Sequence, residues 1–201
     1  MHISEGVLPG WLLITGWGLT IGATYFGLKN LKDKKVPLAA LLAAAFFIAS
    51  LIHVPLGPSS VHLVMNGLAG LLLGITAFPV ILVGLFLQAV LFQFGGITVL
   101  GINTFNMAFP AFLSYLLLRR FIKKQTTLSL VVVGVLTAFI SIMGSGILVA
   151  LELLTVGEVF KKTAELVILA HLPVAVVEGI INAFVLLFLR KTAPEILGGL
   201  K

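Results

Sequence analysis

The chain has 201 residues, of which 60% are hydrophobic and only 10% are charged, and its formal net charge is +6. Soluble domains have about 45–50% apolar and about 25% charged residues, so this composition excludes a soluble globular protein and indicates a helical membrane protein with several spans. The chain has no cysteine, which excludes disulfides and thiolate metal sites, and its basic residues lie in short clusters between apolar runs, which argues against nucleic-acid binding.

The chain begins with a segment that can chelate a metal ion, Met1-His2-Ile3-Ser4-Glu5-Gly6. The terminal amine of Met1, the amide nitrogen of His2 and the His2 imidazole can close two chelate rings on one ion and leave one corner of a square open. Planar nitrogen-rich sites suit Ni²⁺ and Cu²⁺, with Co²⁺ close behind. The initiator Met is normally removed only before a small residue, so we expect it to stay before His2. The alternative is that the Met-His start has no metal role.

Seven apolar runs follow this segment. We predict spans at roughly 11–28, 37–54, 61–76, 77–95, 103–122, 128–153 and 164–189, with Phe78-Pro79 between the third and the fourth. The first run would form a helix of ~27 Å, which just crosses the hydrocarbon core. The prediction is therefore an all-α, polytopic membrane protein with seven transmembrane helices. Residues 1–201 form a single transmembrane domain, in which 1–10 is an external segment.

Most of the 13 Lys and Arg residues follow odd-numbered spans. The clusters are Lys29, Lys32, Lys34 and Lys35 after span one, Arg119, Arg120, Lys123 and Lys124 after span five, and Arg190, Lys191 and Lys201 after span seven. Because loops rich in Lys and Arg stay in the cytoplasm, we predict the N-terminus outside and the C-terminus inside. Met1 and His2 would then face the compartment from which a metal is captured.

The loop from His53 to His62 is the second polar stretch, and the predicted topology places it outside as well. Its two prolines and one glycine predict an irregular backbone, which must be buried in protein or face water. His62 would open span three on the same side as His2 and is a candidate for the fourth nitrogen ligand. The alternative is an ordinary interfacial histidine. Ser60 is a candidate supporting residue in the same loop, whereas His53 is read as structural or as a neighbour of the ligands.

Three more polar residues are candidates for supporting the N-terminal segment. Asn103 and Asn106 are three residues apart, so they share a helix face and could hold the segment by hydrogen bonds. The alternative is that they cap a helix start. Glu5 is a candidate for orienting His2, because carboxylates often accept the second N–H of a ligand imidazole.

Span seven carries a stripe of polar residues, namely His171, Glu178 and Asn182. Ionisable residues inside a membrane helix usually face the bundle interior. We interpret Glu178 as a packing or coupling residue rather than as a ligand.

Four stretches of sequence carry a resemblance to a known family. They are Met1-His2-Ile3 with Glu5-Gly6 and Leu8-Pro9, Gly57-Pro58-Ser59-Ser60-Val61-His62-Leu63, Gly95 to Ala108, and His171-Leu172-Pro173 with Glu178-Gly179. Over nearly its whole length the chain resembles the substrate-binding M subunits of energy-coupling-factor transporters for cobalt and nickel, the CbiM/NikM family. Two features depart from the family. Ser4 stands where many members have Met, and the chain ends soon after span seven, without the extra fused domain of some members.

The resemblance implies a ligand set and a function. Carried over to this sequence, the metal ligands are the amine of Met1, the backbone and side-chain nitrogens of His2, and His62. Co²⁺ or Ni²⁺ is then the transported substrate, with Co²⁺ slightly favoured, and no catalytic cofactor is expected. The implied location is the inner (plasma) membrane of a prokaryotic cell, as a multi-pass protein.

The implied partners are a transmembrane coupling subunit, a pair of ABC ATPases and the lipid bilayer. Because this chain lacks the fused domain, we expect any small accessory subunit to be a separate polypeptide. No Gly-x-x-x-x-Gly-Lys-Ser/Thr motif occurs, so P-loop ATP hydrolysis would have to reside in another subunit and the chain is not expected to be an enzyme. Two other readings stay open: an intramembrane metalloenzyme, and a channel or scaffold in which the histidines are incidental.

Overall fold

The structure is a computed structural model, and it describes residues 2–56 and 59–198. Its helices are α1 (Gly10–Lys29), α2 (Val36–Ala49), α3 (Asn66–Leu73), α4 (Ala77–Phe92), α5 (Leu100–Ile122), α6 (Thr127–Val156), α7 (Lys161–Thr192) and α8 (Pro194–Gly198). Short 3₁₀ turns cover Asp33–Lys35, Gly74–Thr76 and Glu158–Phe160, and two strands, β1 (His53–Leu56) and β2 (Ser59–His62), lie between α2 and α3. The prediction of a helical, membrane-type protein is confirmed.

Within the described ranges, five helical segments are long and apolar enough to cross a membrane. They are Gly10–Lys29, Asn66–Phe92, Leu100–Ile122, Thr127–Val156 and Glu158–Thr192. The second of these joins α3 and α4 through a 3₁₀ turn. Helix α2 has 14 residues, and a helix of that length spans only ~21 Å against about 30 Å of hydrocarbon. The seven crossings and their orientation therefore stay predictions.

Five of the seven predicted spans agree with a helix to within three residues at each end, and the second and third do not. Span two was predicted to reach residue 54, but α2 ends at Ala49. Span three was predicted to begin at residue 61, but α3 begins at Asn66, so His62 ends a strand rather than opening a helix. The boundary predicted at Phe78-Pro79 lies earlier, at the Gly74–Thr76 turn. Pro79 is in the first turn of α4, where its missing N–H costs no helical hydrogen bond.

A β-hairpin is the physical reason why the bounds predicted for spans two and three were wrong. Strand β1 pairs antiparallel with β2, with His53 opposite His62. A residue before proline is disfavoured in the helical region, so Val54 before Pro55 favours an extended chain. Strand pairing also satisfies backbone groups that could not be left bare in a membrane protein. The predicted irregular loop is thus a regular hairpin over the part that the structure describes.

The N-terminal segment is anchored in a hydrophobic cluster of its own. Ile3 is fully buried, and it packs with Leu12 of α1, Ile102 of α5 and Leu153 of α6. Helices α1 and α5 approach closely because Gly16 lies against Ile102, where a Cβ would be 2.6 Å from the Ile102 backbone. The larger core, built from α2 to α7, fills the rest of the bundle.

The predicted cytoplasmic clusters gather at the opposite end of the bundle from His2. Lys35, Arg119 and Lys123 line one cleft, and Arg190 donates from Nη1 to the backbone oxygen of Gln125 at 3.2 Å. Asn103, which contacts the N-terminal segment, precedes Arg119 by ~24 Å of helix α5. The basic end and the N-terminal end are therefore on opposite sides of the bundle.

Candidate metal site

The imidazoles of His2 and His62 lie side by side inside the protein. Their ring centroids are 4.7 Å apart and their planes differ by 18°. His2 is 4% exposed and His62 is 2% exposed. The phenyl ring of Phe94, in the loop after α4, lies 6.2 Å from the His2 ring. The structure thus brings the two histidines of the predicted ligand set together in a site that is shielded from water.

The His62 ring has one nitrogen engaged and one available. Its Nδ1 is 2.8 Å from the carbonyl oxygen of Leu63. A carbonyl only accepts, so Nδ1 carries the hydrogen and Nε2 presents its lone pair. Among the described residues Nε2 is buried and has no hydrogen-bond partner. Burial, and then the positive charges of the N-terminus and of His2, lower the pKa of His62 well below its ordinary value. A neutral imidazole with a buried, available lone pair is the form that binds a metal ion.

Asn103 holds the residue next to His2. Its Oδ1 accepts the backbone N–H of Ile3 at 2.9 Å, and its Nδ2 donates to the backbone oxygen of Ile3 at 3.1 Å. Ile3 also forms an antiparallel bridge with Ser59 at the start of β2. Asn103 lies inside α5, whose N-cap is Val99, so it is not a helix cap. The N-terminal segment is therefore bound to α5 on one side and to the hairpin that carries His62 on the other.

Glu5 ties the same segment to the loop between α4 and α5. Its backbone N–H donates to Gly95 at 3.2 Å, and its Oε1 accepts the N–H of Thr98 at 2.8 Å. The hydrogen bond from Thr98 lowers the pKa of Glu5. We predicted that this carboxylate orients the His2 ring; the contact seen in the structure binds Thr98. Gly96 makes the contact possible, because a Cβ there would lie 2.2 Å from Cγ of Glu5.

Three predicted residues remain, namely Asn106, Ser60 and Met1. Asn106 is buried one turn along α5 from Asn103, and its Nδ2 donates to Oε2 of Glu152 on α6 at 2.7 Å. That bond connects two helices and does not involve the N-terminal segment. Ser60 lies in β2 opposite Pro55, but its side chain is not among those described. Met1 lies outside the described residues.

The sequence did not indicate two residues that support the site around the histidines. Ser59 pairs with Ile3 through the backbone, and a backbone bridge leaves no mark in the choice of side chain. Glu178 accepts the backbone N–H groups of Val64 and Met65, which follow His62. The stripe on span seven indicated that Glu178 faces the interior, but it did not indicate this partner.

The described side chains alone do not form a metal cage. Within residues 2–56 and 59–198, no three His, Cys, Asp or Glu side chains lie close enough together to hold an ion. A metal bound by the two imidazoles would therefore take its other ligands from backbone groups, from other polar side chains or from water.

The sequence is similar to a known family and to several known proteins. A family described as "Cobalt uptake substrate-specific transmembrane region", CbiM, matches residues 2–196. A putative metal transport protein of Haemophilus influenzae is 41% identical over 199 residues, which cover 98% of this chain and 97% of that protein. The cobalt transport protein CbiM of Clostridium tetani is 29% identical over 219 residues, which cover 100% of this chain and 90% of that protein.

A putative fused nickel transport protein, NikMN, of Archaeoglobus fulgidus is 30% identical over 203 residues, which cover 98% of this chain and 68% of that protein. Among solved structures, a transition metal transporter matches with a TM-score of 0.79 and 27% identity, over 98% of this chain and 96% of that one. A truncated transition metal transporter matches with a TM-score of 0.78 and 25% identity, over 96% of this chain and 99% of that one.

The family match over almost the entire chain agrees with the apolar helical bundle and with the resemblance in the sequence. The chain belongs to the CbiM family of cobalt and nickel transport membrane proteins.

Proposed function

We propose that this protein is the substrate-capturing membrane subunit of an ATP-driven uptake transporter for Co²⁺ or Ni²⁺. The ion binds to the terminal amine of Met1, the amide and imidazole nitrogens of His2, and the imidazole of His62. Four nitrogen ligands of this kind favour a planar field, which suits Ni²⁺ and accepts Co²⁺. We favour Co²⁺ slightly, because the family that matches the chain is described by cobalt uptake.

The observation that carries this proposal is the burial of His2 against His62. A terminal segment has few contacts in most proteins and is often poorly ordered. Here Ile3 is fully buried and His2 is 4% exposed, and Asn103 and Glu5 each bind the segment to the loop or helix beside it. A segment that is held this firmly next to a second imidazole supports the proposed metal site.

The charge distribution supports capture from outside the cell. The basic residues Lys35, Arg119 and Lys123 share one cleft at the end opposite the histidine pair. Because basic loops stay in the cytoplasm, this end faces the cytoplasm and the histidines face outward. The location is then the inner membrane of a prokaryotic cell.

The power for transport comes from partners. This chain has no P-loop motif, so ATP hydrolysis is assigned to a separate pair of ABC ATPases. A transmembrane coupling subunit transmits the conformational change of the ATPases to this protein. A small accessory membrane subunit completes the proposed assembly. The relatives are named as transport proteins, which favours transport over the alternative of an intramembrane metalloenzyme.

The experiment that tests this function is metal uptake by cells that express the whole transporter, with and without this subunit. Cell-associated cobalt and nickel are quantified at trace concentrations of each. We expect uptake of one or both metals to require the subunit and to be lost with a catalytically inactive ATPase. Uptake that is the same without the subunit would show that it is a scaffold or channel component instead.

A further inference from the structure

The carboxylate of Glu178, in the middle of α7, lies against the turn that follows His62. Its Oε1 accepts the N–H of Val64 and, at 2.9 Å, the N–H of Met65. Glu178 is fully buried, and the two partners of the second bond are 113 residues apart in the chain. A buried carboxylate therefore connects the last long helix to the segment between β2 and α3.

That segment needs support from outside itself. Met65 is the N-cap of α3 and has a left-handed backbone with φ of 55°, and no side chain caps the helix locally. A left-handed conformation is uncommon for a residue other than glycine and persists only where surrounding contacts impose it. Glu178 supplies an acceptor for this helix start from a different helix.

The same contact reaches His62 through a single peptide group. The N–H of Val64 and the C=O of Leu63 belong to one planar unit. Glu178 accepts from the N–H side, and the carbonyl side accepts from Nδ1 of His62 at 2.8 Å. Fixing this peptide plane fixes the carbonyl to which the imidazole is bonded, and so it fixes the direction of the opposite nitrogen, Nε2.

The peptide also couples the two groups electronically. Hydrogen bonds in a chain polarise one another in a poorly solvated interior. A carboxylate bound to the N–H makes the carbonyl a stronger acceptor, and a stronger acceptor at Nδ1 makes Nε2 a better ligand. A carboxylate that is hydrogen-bonded directly to a ligand histidine has the same effect. Here one peptide group lies between the carboxylate and the histidine.

We propose that Glu178 is a positioning residue for metal capture, which orients and activates His62 through the Leu63–Val64 peptide. This rests on the proposed function, in which His62 binds the metal. The contrasting role is that Glu178 only stabilises the bundle. A purely stabilising residue would leave the ligand field of the bound metal unchanged.

The test uses the full purified chain and Ni²⁺ as the probe, with affinity from a competition titration and the ligand field from the visible absorption of the bound ion. Glu178→Ala should lower Ni²⁺ affinity by about 10- to 100-fold, as loss of a group behind a metal ligand does. Its spectrum should shift toward that of His62→Ala. Glu178→Gln keeps an oxygen acceptor at the same place and should retain most of the affinity.

Asn182→Ala is the matched control. Asn182 is fully buried one turn further along α7, and its amide has no hydrogen-bond partner among the described residues. Its substitution removes a buried polar side chain of α7 without touching the Leu63–Val64 peptide. Affinity and spectrum should therefore match the parent protein.

A double variant decides between positioning and independent effects. Glu178→Ala combined with His62→Ala should bind Ni²⁺ no more weakly than His62→Ala alone, because Glu178 acts on the metal only through His62. Additive losses, or an unchanged spectrum in Glu178→Ala, would overturn the proposal. If Glu178→Ala does not reach the membrane, Glu178→Asp withdraws the carboxylate and should give a smaller shift in the same direction; an unshifted spectrum again overturns it. Full affinity in His62→Ala is a different result, which refutes the proposed function itself.

Discussion

Asn103 forms two hydrogen bonds with the backbone of Ile3: its Oδ1 accepts from the Ile3 N–H, and its Nδ2 donates to the Ile3 carbonyl oxygen. A single side chain on α5 thereby satisfies both backbone groups of the residue that follows His2. The register of the N-terminal segment is set at the position next to the candidate ligand.

The first prediction concerns this contact. Asn103→Ala removes both side-chain hydrogen bonds to the backbone of Ile3, and a buried group that is left unsatisfied costs about 1–3 kcal/mol. We expect the segment to dock less often and metal affinity to fall by about 10-fold or more. The measurement is metal affinity of the purified variant, beside its thermal unfolding.

The control for Asn103→Ala is Thr104→Val. Thr104 is the next residue of α5, it is equally buried, and its hydroxyl donates to Leu100 within the same helix. We expect this variant to bind metal normally. Equal losses of affinity in the two variants would mean that α5 packing, rather than the bond to Ile3, supports the site.

The second prediction concerns the imidazoles. His2→Ala and His62→Ala should each abolish tight binding of Co²⁺ and Ni²⁺, because each removes one of the proposed nitrogen ligands. His171→Ala is the comparison: its ring is also fully buried, and its Nδ1 lies 2.5 Å from the backbone oxygen of Val167. That variant should lose affinity only modestly. Metal retained by His62→Ala at full affinity would remove His62 from the ligand set.

The third prediction concerns pH. Metal ligands must be deprotonated, so protons compete with the ion. The reference pKa of a terminal amine is about 8, whereas burial lowers the pKa of His62 well below its ordinary value, so we expect the amine to dominate this competition. Metal affinity should therefore fall steadily from pH 7 to pH 5, while the helical signal in circular dichroism stays constant. A flat binding profile over this range would argue against a site made of imidazoles and an amine.

Glu5 provides the control for this pH dependence. Its bond from Thr98 lowers the pKa of its carboxyl in the folded state, so the stabilisation it contributes is present above the unfolded value. That stabilisation is lost only as the pH falls through the lower folded value, which lies below the pH 5–7 window. Glu5→Gln should bind somewhat less metal but show the same slope between pH 7 and pH 5.

The fourth prediction concerns the loop that covers the segment. Gly96 has φ of 131°, and a Cβ there would collide with Glu5. Gly96→Ala should displace Glu5 from Thr98 and weaken metal binding. Gly157→Ala separates strain from collision, because Gly157 has φ of 142° but open space around it. Similar losses of metal binding in both variants would show that backbone strain, and not the contact with Glu5, is responsible.

Helix positions were predictable where the chain is continuously apolar. A helix that crosses lipid must be long and hydrophobic, so the runs that form α1, α5, α6 and α7 can be recognised from composition. The start of α3 was not predictable in this way. Val61, Leu63 and Val64 continue the apolar run into α3, although the chain there is a strand and a turn. Hydropathy measures burial and does not distinguish these backbone shapes.

The candidate site was predictable only in part, for a related reason. A histidine at position 2 has a local signature, because its chelate uses neighbouring atoms. Its proximity to His62, and the hydrogen bonds that the N–H groups of Ile3 and Val64 donate to Asn103 and Glu178, depend on tertiary packing. The last two use backbone groups, which every residue carries, so no residue type marks them.

In the proposed chelate the terminal amine itself binds the metal, and this is tested by the metal occupancy of a protein extended before Met1. An N-terminal tag converts the amine to an amide and places extra chain beside His2, which is 4% exposed. Metal content of purified N-tagged protein is compared with that of protein tagged after Lys201, at the predicted cytoplasmic end. We predict metal in the C-tagged protein and its loss in the N-tagged protein, although every side chain is unchanged. Equal occupancy in the two proteins would contradict the proposed chelate.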